Sequence, residues 1–174
     1  MLRLTFSLVL ACAACSPVNQ PVSAKTVAAY EVPLPTASDR RRFIALLSQK
    51  AEAAGFHVDA STDEELKATS SVSPQTLNAT VWRGEDDEES IASAMDFRGR
   101  LGRVWLSFTL GQDPARSQGF REALLPAIGE TWPGTASLPI MPSGAIPLTE
   151  DLVRTPQGYI VKPAAAAKYQ ATGQ

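Results

Sequence analysis

Apolar residues recur along the middle of the chain in two distinct periods, and the change of period marks the elements. In "TASDRRRFIALLSQKAEAAG", Phe43, Leu47, Ala51 and Ala54 form a stripe at helical spacing. Ser38 stands where an N-cap belongs, Asp39 suits the positive end of the helix, and Gly55 suits a left-handed close. The pattern predicts a helix over about 38–54, with Arg40, Arg41 and Arg42 in its first turn, against the helix dipole. "GQDPARSQGFREALLPAIGETWPG" predicts a second helix over about 114–130, with Asp113 as cap, Pro114 at the first position and Phe120, Leu124 and Ile128 in register. Pro126 inside it predicts a kink or an early end.

Between the helices the period falls to two. "FHVDA" sends Phe56, Val58 and Ala60 to one side, and His57 and Asp59 to the other. "STDEELKATSSVSPQ" offers a capping box, Ser61 with Glu64 or Thr62 with Glu65, for a short helical turn. "TLNATVWR", "SIASAMDFR" and "RVWLSFTL" then read as a meander over 76–110, the last two joined by Gly99-Arg100-Leu101-Gly102. A register with Phe97 opposite Val104, Met95 opposite Leu106 and Ile91 opposite Leu110 gathers the large apolar residues on one face. Its other face then carries Trp82, Asp96, Arg98, Arg103, Trp105, Ser107 and Thr109, with Ala92 and Ala94 between. In "SLPIMPSGAIPL" the prolines exclude a central strand, leaving an edge strand or an irregular packed segment, and "TPQG" with "YIVK" predicts a turn and a closing strand. The fold class expected is α+β: a two-layer sandwich of an antiparallel three- to five-stranded sheet packed by two main helices.

The ends have a different composition. Arg3 is the only charge before Lys25, and Leu4 to Ala14 is apolar or small apart from Thr5, Ser7 and Cys12. A basic start, a short apolar run and a small-residue exit have the form of a secretory signal, too short to span a bilayer. The run ends at Cys15, preceded by Ala13 and Ala14 and followed by Ser16, and this leader resembles that of a bacterial lipoprotein. The resemblance implies lipidation at Cys15, with Cys12 as the alternative, and anchoring at the outer membrane facing the periplasm. An ordinary cut after Val22-Ser23-Ala24, giving a soluble periplasmic protein, is the other reading. Residues 1–14 are then signal peptide, 15–35 a proline-punctuated tether, 36–162 one domain and 163–174 a tail. Cys12 and Cys15 are the only cysteines, so with Cys15 acylated the mature chain forms no disulfide and depends on its core.

Charge and residue types narrow the function. Sixteen basic and eighteen acidic residues, with no basic stripe, argue against nucleic acid as partner. The sole histidine, His57, has Asp59 on its strand face but no marked serine or thiol, so no catalytic set is assigned. Zinc lacks ligands, phosphate-cradling glycine motifs are missing, and the acidic run Glu85 to Glu89 lacks the alternation of a calcium loop. No metal and no cofactor are expected. Trp82, Asp96, Arg98, Arg103 and Trp105 form the candidate partner-binding face, since tryptophan and arginine are enriched at interface hot spots. The expected function is a non-catalytic, envelope-anchored binding lipoprotein for a protein partner, with an immunity-type protein as one concrete form. The alternatives are a peptidoglycan- or glycan-binding accessory lipoprotein and a small hydrolase built on His57 with Asp59 or on the carboxylates.

Overall fold

The computed structural model describes residues 22–69, 76–84, 88–96 and 102–170. Cys12, Cys15, Glu85 to Asp87, Phe97, Arg98 and most of the 99–102 connection lie outside the described residues. The class is α+β, as expected, with an antiparallel sheet of six strands and a separate two-stranded hairpin. The strands are β1 (Thr26–Pro33), β2 (His57–Ala60), β3 (Asn78–Arg83), β4 (Glu89–Asp96), β5 (Arg103–Thr109) and β6 (Ala136–Ser137). They lie side by side in the order β2-β3-β4-β5-β1-β6, while β7 (Leu152–Thr155) and β8 (Gly158–Val161) form the hairpin.

The helices form where the local chemistry directs them. α1 (Ala37–Ala53) starts at Thr36 rather than Ser38: the Thr36 hydroxyl accepts the Asp39 N–H while the Asp39 carboxylate accepts the Thr36 N–H. Gly55, at φ +73°, turns the chain out of the helix into β2. α2 (Asp63–Thr69) uses the second of the two expected boxes, Thr62 with Glu65. α3 (Pro114–Thr131) is capped by Asp113 through the Arg116 N–H. It runs through Pro126 without ending, because the proline sits on the exposed side and the buried stripe Phe120, Leu124 and Ile128 holds both halves to the sheet.

Both long helices cover one face of the sheet. Phe43, Leu47 and Ala51 of α1 and Phe120, Leu124 and Ile128 of α3 are fully or almost fully buried there. From the sheet they meet Val32, Leu77, Ala79, Val81, Val104, Leu106 and Phe108. Phe120 packs edge-on against Phe108 at 6.0 Å and against Phe56 at 5.6 Å between ring centres.

The β4–β5 register differs by one residue from the expected one. Ala92 pairs with Phe108, Ala94 with Leu106 and Asp96 with Val104, so Met95 lies opposite Trp105 and points away from the helices. Met95 is 41% exposed, whereas Ala92 and Ala94 are buried. Phe108 and Phe120 already fill the space beneath the helices, and alanine beside them interdigitates where methionine would overpack. Ile91 still reaches the core because β4 bulges there: Val81 pairs with Ala92, but Trp82 pairs with Ser90.

Thr26–Pro33, within the segment expected to be a tether, is a strand. β1 pairs along its length with β5, from Thr26 with Thr109 to Pro33 with Arg103, and brings Val32 and then Leu34 to complete burial. The sheet therefore exceeds the expected three to five strands, and the folded domain begins about ten residues before Thr36. Residues 163–170, expected to belong to a tail, carry structure as well. A short helix, α4 (Ala166–Gln170), holds Tyr169, whose hydroxyl donates to Asp151 and accepts the Leu148 N–H. The proline-rich segment gives the two-residue edge strand β6 and an irregular packed stretch. The closing strand β8 joins β7 instead of the main sheet, and Gly158 at φ +126° lets that hairpin sit directly over Ser137, where a side chain would collide.

The register makes opposite demands on neighbouring positions of β4. Met95→Thr should change the unfolding free energy by no more than about 0.5 kcal/mol, as for an exposed site. Ala94→Asp, which buries a charge under the helices, should leave the chain unfolded at room temperature. Urea titration followed by tryptophan fluorescence checks both, and the reverse ranking would restore the other register.

Candidate functional site

Among the described residues, the sheet face turned away from the helices is covered on one half and uncovered on the other. Strand alternation places Ala29 and Glu31 of β1, Trp105 and Ser107 of β5, Ser93 and Met95 of β4, and Thr80 and Trp82 of β3 on this outer face. Leu138, Leu152 and the neighbouring Ile140, Ile146, Tyr159 and Val161 cover the β1–β5 half and bury Trp105 to 8% exposure. The cover stops at Ile146 to Leu148. Between these residues and Ser93, Met95, Trp105 and Ser107 it leaves a groove of about 300 Å³. On the open side the Ser93 and Ser107 hydroxyls bond each other at 2.8 Å, which satisfies the polar groups of the groove floor internally.

The cover is fastened by a buried carboxylate. Glu31 is 1% exposed. Both its oxygens accept the Tyr159 hydroxyl, at 3.0 Å, and Arg103 forms a close ion pair with it. Arg154 approaches the same carboxylate to 3.8 Å, stacks over the Tyr159 ring and donates to the Gly134 carbonyl at 2.7 Å. A carboxylate withdrawn from water needs this many donors, and removing one partner of such a pair costs about 3–5 kcal/mol. Burial first, and then the hydrogen bond to Glu31, push the Tyr159 phenol above its usual 10.0.

The sequence-predicted site residues do not share one surface. Trp105 lies on the outer face but beneath the cover. Arg103 is taken up by Glu31. Asp96 belongs to the helix-side face, because of the one-residue shift, and is 6% exposed. Its carboxylate gathers the Thr76 and Leu77 N–H groups, the Thr76 hydroxyl and the Gly102 N–H, fastening the starts of β3 and β5. Trp82 remains on the open half, half-buried beside His57 of β2 and Ser90 of β4. Its indole N–H is buried without an acceptor among the described residues. Arg98 lies outside them. In the acidic run, Glu89 is 8% exposed and accepts from Arg83 and from the Gln112 N–H, so it is a structural group, while Glu88 is exposed. Among the described residues no cluster of three or more His, Cys, Asp or Glu side chains is arranged to hold a metal ion.

Glu31, Tyr159 and the Ile146–Leu148 wall are the residues that sequence reasoning missed. One signal was available: Glu31 is the single charge in "TVAAYEVP", an otherwise apolar run of strand-forming character. Comparison with protein-family models, with curated proteins and with solved structures finds no match to this chain.

Tyr159→Phe removes the hydroxyl but keeps the ring, and should cost about 2 kcal/mol, the usual value for a hydrogen bond to a charged group. The phenol's pKa is raised in the fold, so the native state holds its proton after the unfolded state has lost it. This contribution is therefore complete below pH 10 and is lost as pH rises through the folded value. Wild type should lose stability more steeply than Tyr159→Phe above pH 10, as read by urea midpoints across an alkaline series; parallel curves would remove the linkage.

Proposed function

We propose that the chain is an envelope-anchored lipoprotein whose domain binds a protein partner on the open half of the outer sheet face. The observation that carries this reading is Met95. It is a large apolar side chain, 41% exposed on an interior strand, beside a groove walled by Trp105 and Ile146. With Trp105, Ile146 and Leu148 at its side it forms a contiguous apolar surface, the kind that marks interaction sites, and Trp82 lies on the same sheet face. The binding site thus shifts from the five residues of the sequence reading to Trp82, Met95 and the groove edge. An apolar side chain from the partner would enter the groove, with Ser93 and Ser107 at its base.

The lipid anchor rests on the leader, with Cys15 as acceptor. One contact supports it over a cut after Ala24. The Ser23 carbonyl accepts the Gly111 N–H at 2.9 Å, so cleavage there would remove a residue bonded to the domain. A mature chain starting at Cys15 keeps that bond and leaves six residues, 16–21, before the docked turn Val22–Ala24, an extended reach of about 20 Å from the bilayer.

Two experiments test the reading. Full-length tagged chain should retain one stoichiometric protein from envelope extracts, and Met95→Glu should lose it without a change in melting temperature. Equal capture by the variant, or retention on isolated peptidoglycan sacculi with no protein partner, would overturn the protein-binding reading. In cells fed an alkyne-tagged fatty acid, Cys15→Ser should lose the label and leave the membrane fraction while Cys12→Ser keeps both; a wild-type chain that takes no label ends the anchor.

A further inference from the structure

A second cavity lies on the helix side of the sheet, at the β2–β3 edge, where its lining residue Asn78 is the register partner of Met95. The N-terminal half of α1 stands over the β2–α2 junction and the start of β3, and between them opens a pocket of about 390 Å³. This is within the range of roughly 300–1,000 Å³ typical of small-molecule sites. Leu66 and Leu77, both buried, and Ile44, packed against the core, give it an apolar lining. Ala37, Ala45 and Ala60 leave the space open because their side chains are short.

The polar groups at the rim are mostly committed elsewhere. Thr62 and Glu65 occupy each other in the α2 cap, and Asn78 reaches Ser61. The exceptions are the arginines. Arg40 and Arg41 line the pocket from the first turn of α1, where the helix dipole disfavours cations. Arg40 makes only a long bond to the Leu34 carbonyl, at 3.4 Å, and the exposed Arg41 has no acid or carbonyl partner among the described residues. Asp63 is the one acid among the described residues of the lining, so two guanidinium groups face one carboxylate there. Arg42, on the other side of the helix, lies over the Trp132 ring instead.

From this arrangement we infer that the pocket is a binding site for a single-chain anionic amphiphile, a carboxylate- or phosphate-headed alkyl compound. The alkyl chain lies along Ile44, Leu66 and Leu77, and the head is held by Arg41 with Arg40 beside it. Guanidinium offers forked donors to either head group. The aliphatic lining excludes strongly polar ligands, and the arginines select against cationic ones. This site is separate from the Met95 groove and does not depend on the partner proposed there.

The test uses the full chain without its leader cysteines (Cys12→Ser with Cys15→Ser), so that no acyl group competes. Dodecanoate and dodecyl phosphate are titrated below their micelle concentrations, with dodecyl maltoside and dodecyltrimethylammonium as neutral and cationic controls. Calorimetry should give one saturable site for the anionic pair, with methyl NMR shifts confined to Ile44, Leu66 and Leu77. A stronger response to one head than to the other identifies carboxylate or phosphate as the natural group. Arg41→Glu should weaken binding at least ten-fold. Ala45→Trp, at an exposed position on the pocket wall, should abolish it, both variants keeping the wild-type melting temperature. Equal binding of the maltoside or ammonium compound, shifts scattered over the surface, no saturable binding, or unchanged affinity in both variants would overturn the inference.

Discussion

The extra residue that β4 carries at Ile91 controls what both faces of the sheet are made of. Without the bulge, Ile91 and Ala92 would alternate sides, and the strand could bury either Ile91 with Met95 or Ala92 with Ala94. With it, Ile91, Ala92 and Ala94 all reach the helix side, next to Val81, Leu106 and Phe108. The outer-face neighbours of β4 go with that choice. Met95 becomes the neighbour of Trp105, Ser93 meets Ser107, and Asp96 arrives on the helix side, where it collects amides from the starts of β3 and β5. A local irregularity of one residue thus decides where a methionine meets water and where a carboxylate does not.

Local chemistry makes the helices legible from the residues alone. Thr62 with Glu65, Asp113 with Pro114, Gly55 and the two apolar stripes are signals within one or two turns, and the chain uses them where they stand. The strand faces Leu77-Ala79-Val81 and Val104-Leu106-Phe108 are equally readable, since alternation alone defines them. The β4 phase is not, because choosing the larger apolar set assumes that the core has room for it. Phe108 and Phe120, brought together from two elements, have already taken that room. The same shift divides the candidate site: Asp96 and Trp105, neighbours on the face expected from alternation, lie on opposite sides of the sheet. β1 is hidden for a related reason. Its flanking prolines, small residues and central glutamate resemble a tether until β5 supplies hydrogen bonds and Tyr159, Arg103 and Arg154 supply donors.

Three buried carboxylates, Glu31, Glu89 and Asp96, do similar work in different places. Each accepts from groups distant in sequence and fastens a segment that alternation and apolar burial alone would leave loose. Glu31 holds the C-terminal hairpin, Glu89 ties β4 to the approach to α3 through Arg83 and Gln112, and Asp96 ties the starts of β3 and β5. In the ion pairs of Glu31 and Glu89 attraction is offset by desolvation, so the net stabilisation is small while the loss of one partner is costly. Holding Glu31 in place also shapes the outer face. The edge of the C-terminal cover, which Glu31 fixes, is the edge of the groove beside Met95.

β1 also determines when the domain can form. Its partners on β5 lie between 70 residues away (Pro33 with Arg103) and 83 residues away (Thr26 with Thr109), and Tyr159 joins Glu31 from farther still. A chain emerging from the N-terminus has no mate for β1 until most of the domain has followed, and contacts this distant close slowly. On the proposed reading of the leader that delay serves export: the earliest part to reach the membrane would be the last to be locked, and the chain would stay threadable until it had crossed.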